Sequence, residues 1–319
     1  METQQSSTRQ IAFLGIGSKL FGIYIVNALL TVITLGLYYP WAKAATLRYL
    51  YQETELGGSR FMFHGTGREM FVGFIKAVGI FIGLYGFLLW AVFQKNQTLV
   101  AVAIGTMYLA ILLLIPIAMH GSLKYRMSRS SWRSIHFGYR GQLNELFKEF
   151  ITGFILTIFT LGIYSPWFTI NLRRYVIENI RFGNLRFYYT GNGGEFFLLL
   201  LKGYIFTILT LGIYLFWFAK DLFNYYVNNI KIQQGDQTIH LQSIASGSGY
   251  FRLIMVNIVI VIFSLGLATP WATVRTMRFI FSNILIEGEL NLDAITQTEQ
   301  AYTDAVGEDM ADMLDIGLI

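Results

Sequence analysis

The sequence predicts an α-helical integral membrane protein built from five pseudo-repeated helical hairpins, about ten helical segments in all, some of them re-entrant, joined by short cytoplasmic β-strands. Three observations predict it. Charged residues make up 13% of the 319-residue chain, about half of the roughly 25% usual in soluble domains. Residues 20–42, 98–119, 150–172 and 253–274 contain no Asp, Glu, Lys, Arg or His, and about 20 apolar residues suffice to cross a bilayer core. An octet also recurs along the chain, so each repeat must be one structural unit.

The octet reads TLGLYYPW at residues 34–41, TLGIYSPW at 160–167, TLGIYLFW at 210–217 and SLGLATPW at 264–271. Eight residues past the proline position (Phe216 in the third copy) stand Arg48, Arg174, Asn224 and Arg278, each followed by Tyr or Phe. A degenerate fifth copy is centred on Pro116, with Lys124-Tyr125 at the same offset. The junctions expected at 40, 116, 166, 216 and 270 are spaced by 76, 50, 50 and 54 residues.

Between junctions runs a second element, an alternating stretch leading into glycines. It is FLGIG at residues 13–17, FHGTG at 63–67, FGYRG at 137–141, YTGNGG at 189–194 and, loosely, LQSIASGSG at 241–249. Alternation such as Arg60-Phe61-Met62-Phe63 suits a half-buried strand. Six short strands are expected, gathered on one side as a small sheet or barrel, with Leu290-Asn291-Leu292 as the last. The unit is strand, glycine turn, apolar helix, junction and basic-aromatic helix.

The junction residues are Gly36, Tyr38, Pro40 and Trp41; Gly162, Tyr164, Pro166 and Trp167; Gly212, Tyr214 and Trp217; and Gly266, Pro270 and Trp271. Glycine stops one helix, and proline is tolerated in the first turn of the next because the missing N–H has no partner there. Trp and Tyr favour the headgroup level. This reads as a hairpin tip, with a pathway lining as the alternative. With hairpins, every basic residue except Lys95 flanks the strand side, which the positive-inside rule makes cytoplasmic.

Domain organisation follows: residues 1–292 as a repeat-built membrane domain and 293–319 as an acidic tail. From Glu289 onward there are eight acidic residues and no basic one, leaving 24 basic against 11 acidic in the body. A basic body suits anionic phospholipid headgroups. The first ten residues are polar and include Glu2, unlike the basic start of a signal peptide, so residues 20–42 are expected to remain as the first membrane element.

These motifs resemble the YjgN-like family of bacterial inner-membrane proteins, a domain of unknown function numbered 898. The resemblance rests on the FxGxG elements, the TLGxYxPW octets and the Arg-Tyr pairs, and covers residues 11–292. It implies a multi-pass location in the bacterial inner membrane, with strands and termini cytoplasmic, and it implies no activity.

The chain has no cysteine, which excludes disulfides, thiolate metal sites and a thiol nucleophile. No HExxH, GxxxxGK[ST], GxSxG or SxxK occurs, so no enzyme, metal or cofactor is expected. Arg48, Lys124, Arg174 and Arg278 are the candidate anion or headgroup sites. Eight residues past the junction puts them roughly 12 Å into the second helix, where a cation must pair, snorkel to headgroups or meet water. Glu69, Glu145 and Glu195 are expected to cap helix starts. Gly79 and Gly83 allow close helix packing, within the chain or in a homo-oligomer.

Two functions remain open on this reading. One is a transporter or channel-like protein for an anionic solute or lipid headgroup. The other is a noncatalytic scaffold that binds anionic lipid and, through its acidic tail, a cytoplasmic protein partner. No nucleic-acid partner is expected. The tail can place Val306, Met310, Met313 and Leu314 on one helical face.

Overall fold

A computed structural model describes residues 9–298; the tail helix expected around Val306–Leu314 lies outside them. Each repeat begins as a strand and enters a helical hairpin. Strand β1 (Arg9–Phe13) leads into α1 (Gly17–Ile33) and α2 (Tyr39–Gln52). The second repeat is β2 (Thr54–Leu56), β3 (Ser59–Phe63), α3 (Gly67–Phe93) and α4 (Gln97–Ser128). The third is β4 (Ser130–Trp132), β5 (Ile135–Tyr139), α5 (Leu143–Phe159) and α6 (Ser165–Glu178). The fourth is β6 (Ile180–Phe182), β7 (Leu185–Tyr189), α7 (Gly193–Leu209) and α8 (Leu215–Asn228). The fifth is β8 (Ile230–Gln234), β9 (Gln237–Ser243), α9 (Gly247–Phe263) and α10 (Thr269–Ser282), followed by β10 (Ile284–Glu287).

The ten strands close into an antiparallel barrel, each paired with its chain neighbours and β10 returning to β1 through Arg9↔Ile286 and Gln10↔Leu285. The expected fold class is therefore wrong. The chain is not an all-helical integral membrane protein with strands as cytoplasmic connectors; its strands form a closed barrel that carries the helices. Six strands were expected because the outgoing strands β2, β4 and β6 have three residues each. They follow a helix after one residue, too short a run to show alternation.

Three of the four uncharged runs are two helices each. Residues 20–42, 150–172 and 253–274 are each broken by a turn between two helices. Among the described residues, only α3 and α4 are long and apolar enough to cross a membrane. Pro116 is no junction either, since it lies inside α4. The prolines at 40, 166 and 270 stand in the first turn of a second helix, and α4 runs N-terminally beyond that point. The spacing of 76 rather than 50 residues thus marks a longer hairpin. Its arms are about 40 and 48 Å long, against about 25 and 21 Å for the 17- and 14-residue arms elsewhere.

Strand order places all five hairpins at one barrel end and the tight β-turns at the other. Each helix packs on its neighbours and α10 packs on α1, so the helices close a ring above the barrel. The barrel axis is filled by Leu56, Trp132, Phe182, Leu185, Ile232, Ile239 and Ile286, with Phe137 and Phe182 stacked at 4.2 Å.

Residues 289–298 close the turn end. Leu290–Leu292, expected as a strand, instead crosses the barrel mouth, and Leu290, Leu292 and Ile295 join the core. Gln234 exchanges hydrogen bonds with the backbone of Asn291, Arg133 pairs with Asp293 at 2.7 Å, and Asn184 donates to the Ala294 carbonyl. The plug thus touches the turns that join the strands. Leu292→Ala should lower stability by about 2–4 kcal/mol, read as a shifted denaturant midpoint; a loss under about 0.5 kcal/mol would mean the plug only rests on the barrel.

Candidate functional site

The site that recurs in every repeat is the hairpin, and its tip is built by the octet. In the first repeat the Thr34 hydroxyl donates to the Leu30 carbonyl (2.7 Å) and accepts the Tyr38 N–H (3.0 Å), tying the end of one helix to the start of the next. Thr160 and Thr210 repeat both bonds, and Ser264 accepts the Ala268 N–H. Gly36, Gly162, Gly212 and Gly266 donate N–H groups to carbonyls five residues back, at φ of 87–93°, the left-handed closure glycine favours.

The residue before each glycine is unexpected. Leu35, Leu161, Leu211 and Leu265 also adopt left-handed φ, 51–52°, which costs a branched L-residue about 1–2 kcal/mol. Each is 93–95% exposed. Neither backbone preference nor packing in the chain accounts for leucine there. Sequence reasoning passed over these residues because leucine inside an apolar run reads as core, although it is invariant in the four octets.

At the other end of the hairpin the Arg-Tyr pairs act as two-way pins. The tyrosine holds the start of its own repeat's first helix. Tyr49 bonds both backbone groups of Ile16 (2.7 and 2.9 Å), Tyr175 those of Gln142, and Tyr225 those of Asn192. The arginine reaches the next repeat. Arg48 donates to the Gly65 carbonyl (3.3 Å), Arg174 to those of Gly191 (2.7 Å) and Tyr189 (3.3 Å), and Arg278 to Gly15 (2.9 Å), which closes repeat five onto repeat one. All three lie near the barrel end of the second helix. The structure does not gather them into one cluster but spaces them around the ring.

Lys124 takes the equivalent place on α4 and is half-buried. Asn224 replaces the arginine on α8 and accepts the Ser243 hydroxyl at 2.7 Å. Junction tryptophans also serve the seams between repeats: Trp41 lies against Gly67, Trp167 against Gly193, Trp217 against Gly247 and Trp271 against Gly17, leaving no room for a Cβ. Tyr38 stacks on Trp41 and Tyr164 on Trp167.

Glu69 completes a capping box with Thr66, and Glu145 and Glu195 stand in first turns. Asp221 pairs with Lys220 and accepts the Tyr214 hydroxyl. Among the described residues no cluster of metal-ligating side chains occurs. In the barrel wall His64 and His136 lie with ring centroids 5.8 Å apart. Burial, then the neighbouring His64, lowers the His136 pKa, and burial raises that of Tyr189.

Above the pins the first helices turn apolar faces outward: Val26, Leu29, Val32 and Ile33 on α1, Ile158 and Phe159 on α5, Ile208 and Leu209 on α7, Ile262 and Phe263 on α9. Below these faces sits an exposed basic belt that includes Lys19, Lys148, Lys202 and Arg252. A face apolar at one level and basic at the next is the profile of a membrane interface.

The family model for a bacterial protein of unknown function (DUF898) matches residues 8–188 and 217–313. The chain belongs to this family. Its curated relatives include the inner membrane protein YjgN of Escherichia coli K12, 30% identical over 161 residues, which are 50% of this chain and 38% of that protein. The Escherichia coli O157:H7 protein of that name is 29% identical over equal shares. The Salmonella typhimurium one is 28% identical over 44% of this chain and 33% of its own. The chain thus spans well under half the length of the curated relatives it matches. No solved structure matches. The DUF898 chain is, with these relatives, an inner-membrane protein, as its motifs implied.

Proposed function

We propose that this DUF898 protein is a noncatalytic scaffold of the bacterial inner membrane. In this reading the α3–α4 hairpin crosses the bilayer twice, the barrel lies on the cytoplasmic side, and the basic belt holds anionic phospholipid headgroups. The observation that carries the scaffold over a transporter is where the arginines direct their donors. A solute site needs cations free to bind and release. Arg48, Arg174 and Arg278 instead hold turn carbonyls of the neighbouring repeat, and the barrel axis is packed with aromatic and aliphatic side chains. Cytoplasmic sidedness rests on the excess of basic residues around the helix bases and barrel, with Lys95 alone at the far hairpin tip. Residues 289–298, where the acidic stretch begins, cross the barrel mouth away from the helices, which suits recruitment of a cytoplasmic protein by the acidic tail.

The pins and the belt separate by mutation. Arg174→Gln should cost about 2 kcal/mol of stability, the worth of charge-assisted hydrogen bonds, and leave phosphatidylglycerol retention unchanged. The triple variant Lys148→Gln, Lys202→Gln, Arg252→Gln should keep its melting temperature and weaken retention by about tenfold or more. Anion flux through proteoliposomes that vanishes in a folded Arg174→Gln variant would overturn the scaffold and restore a pathway.

A further inference from the structure

We infer that the four short hairpins insert their tips into the barrel-side leaflet alone, as an apolar crown that the single crossing hairpin interrupts. The inference rests on the membrane reading above and adds what the tips touch: acyl chains of one monolayer, not the far headgroups.

Two independent observations converge on it. The first is chemical. Leu35, Leu161, Leu211 and Leu265 stand alone at the tips, 93–95% exposed and in a left-handed conformation that glycine or asparagine would adopt more easily. Beside them Ile33, Phe159, Leu209 and Phe263 are also largely exposed. A turn in water would not keep four leucines in that state; a turn in hydrocarbon would favour them.

The second is depth. On the first helices the basic residues nearest the tips are Lys19, Lys148, Lys202 and Arg252. From them to the helix end is about 21, 17, 11 and 17 Å. On the second helices Lys43 and Lys220 come within about 6–8 Å of the helix start. The first-helix depths are of the order of a monolayer of about 15 Å, the second-helix depths are smaller, and all of them fall short of the roughly 30 Å hydrocarbon core. The long hairpin differs in kind. From Lys76 to the end of α3 is about 26 Å, and α4 runs about 40 Å from Gln97 before its first charge at Lys124. Its tip carries Lys95, a residue suited to the far headgroups and absent from the other four tips.

The wedge occupies area in one leaflet only, so its insertion is asymmetric across the bilayer. The native chain lacks cysteine, which permits a direct test in full-length protein in sealed vesicles of both orientations. Leu35→Cys, Leu161→Cys, Leu211→Cys, Leu265→Cys and Lys95→Cys are made singly and treated with a membrane-impermeant maleimide. The expected result is that Lys95→Cys labels from the face opposite the barrel. The four tip cysteines should label from neither face, yet label fully after denaturation. Nitroxides at these tips should collide more often with oxygen than with a water-soluble nickel chelate.

Tip labelling from the Lys95 face would mean full crossings, and tip labelling from the barrel face would mean tips in water; either overturns the wedge. Failure of Lys95→Cys to label from the opposite face would instead overturn the crossing hairpin, and with it the membrane reading on which the wedge rests. Each of the four tips is its own test, so one variant that fails to fold leaves three.

Discussion

Gly193→Leu should destabilise the protein by about 2–3 kcal/mol, and Trp167→Ile in the same chain should restore most of the loss. Gly193 opens α7, and a Cβ there would fall inside the indole ring of Trp167 on α6. Overpacking a fixed seam costs about 1–3 kcal/mol. Trp167→Ile alone leaves a void, worth about 3 kcal/mol. The protein already contains the solution in which both changes coexist. At the seam between α4 and α5, Ile117 stands in place of the tryptophan, and the following helix opens with Leu143 in place of glycine. The double variant should therefore lie within about 1 kcal/mol of the parent, a coupling well above the ~0.5 kcal/mol tolerance for independent sites. Denaturant midpoints of the four proteins measure it. Additive losses would show that the seam is not exchangeable and that the ring tolerates Ile117 and Leu143 only because the long hairpin splays there.

The same size exchange appears inside the hairpins. Gly153 and Gly203 sit where a Cβ would enter the rings of Phe168 and Phe218. In the first and fifth repeats the corresponding positions hold Asn27 with Ala42 and Asn257 with Ala272. Asn257 then donates to the Thr276 hydroxyl at 3.0 Å. A third exchange joins Asn224, Ser243 and Ala245, which replace an arginine, an aromatic residue and a glycine together.

Much of this was legible in the sequence because the repeat carries local signals. Proline and glycine mark helix ends by backbone geometry alone, so the four octets fell on real turns. The arginine offset is likewise local, one helix long. A sheet and a barrel were both open, and the pair that closes the barrel was not legible. Pairing β1 with β10 joins residues 9 and 286, and no periodicity within either strand announces that partner. Uncharged runs on their own would mislead for a related reason. Hydropathy averages over Thr34-Leu35-Gly36 without seeing that the chain reverses there; the octet, not the apolar run, shows two helices and a tip. Pro116 misled in the opposite sense, because its octet had lost the Thr-Leu-Gly that builds the turn; proline without that turn sits inside a helix. The arginines were found as residues but not by role, since their partners are carbonyls of another repeat and a carbonyl has no sequence signature.

Glu69→Gln should cost about 3–5 kcal/mol, the largest loss expected from a single polar change among the described residues. Glu69 stands in the first turn of α3, and its carboxylate accepts the Thr66 N–H at 3.0 Å as half of a capping box. The same carboxylate takes the Arg129 guanidinium through Nη2 (3.1 Å) and Nε (3.4 Å), and the Tyr125 hydroxyl at 3.0 Å. Arg129 follows the last residue of α4 and is 3% exposed. One carboxylate thus ties together the bases of the two long arms, which are largely exposed along their apolar spans. Arms of about 40 Å or more are long levers, and their bases must hold them upright. Removing the charge takes a carboxylate from a buried cation, which is worse than removing both partners. Glu69→Gln with Arg129→Met should therefore lose less than Glu69→Gln alone, by about 1 kcal/mol or more. Thermal melts supply the energies. Proteolysis between α3 and α4 in detergent supplies the location, because a loosened base should expose that hairpin before the barrel gives way. A Glu69→Gln loss below about 1 kcal/mol would place the anchor of the hairpin elsewhere. The next candidate would be the barrel wall directly beneath it, where the His64 ring bonds Ser131 at 2.8 Å and Trp132 is fully buried.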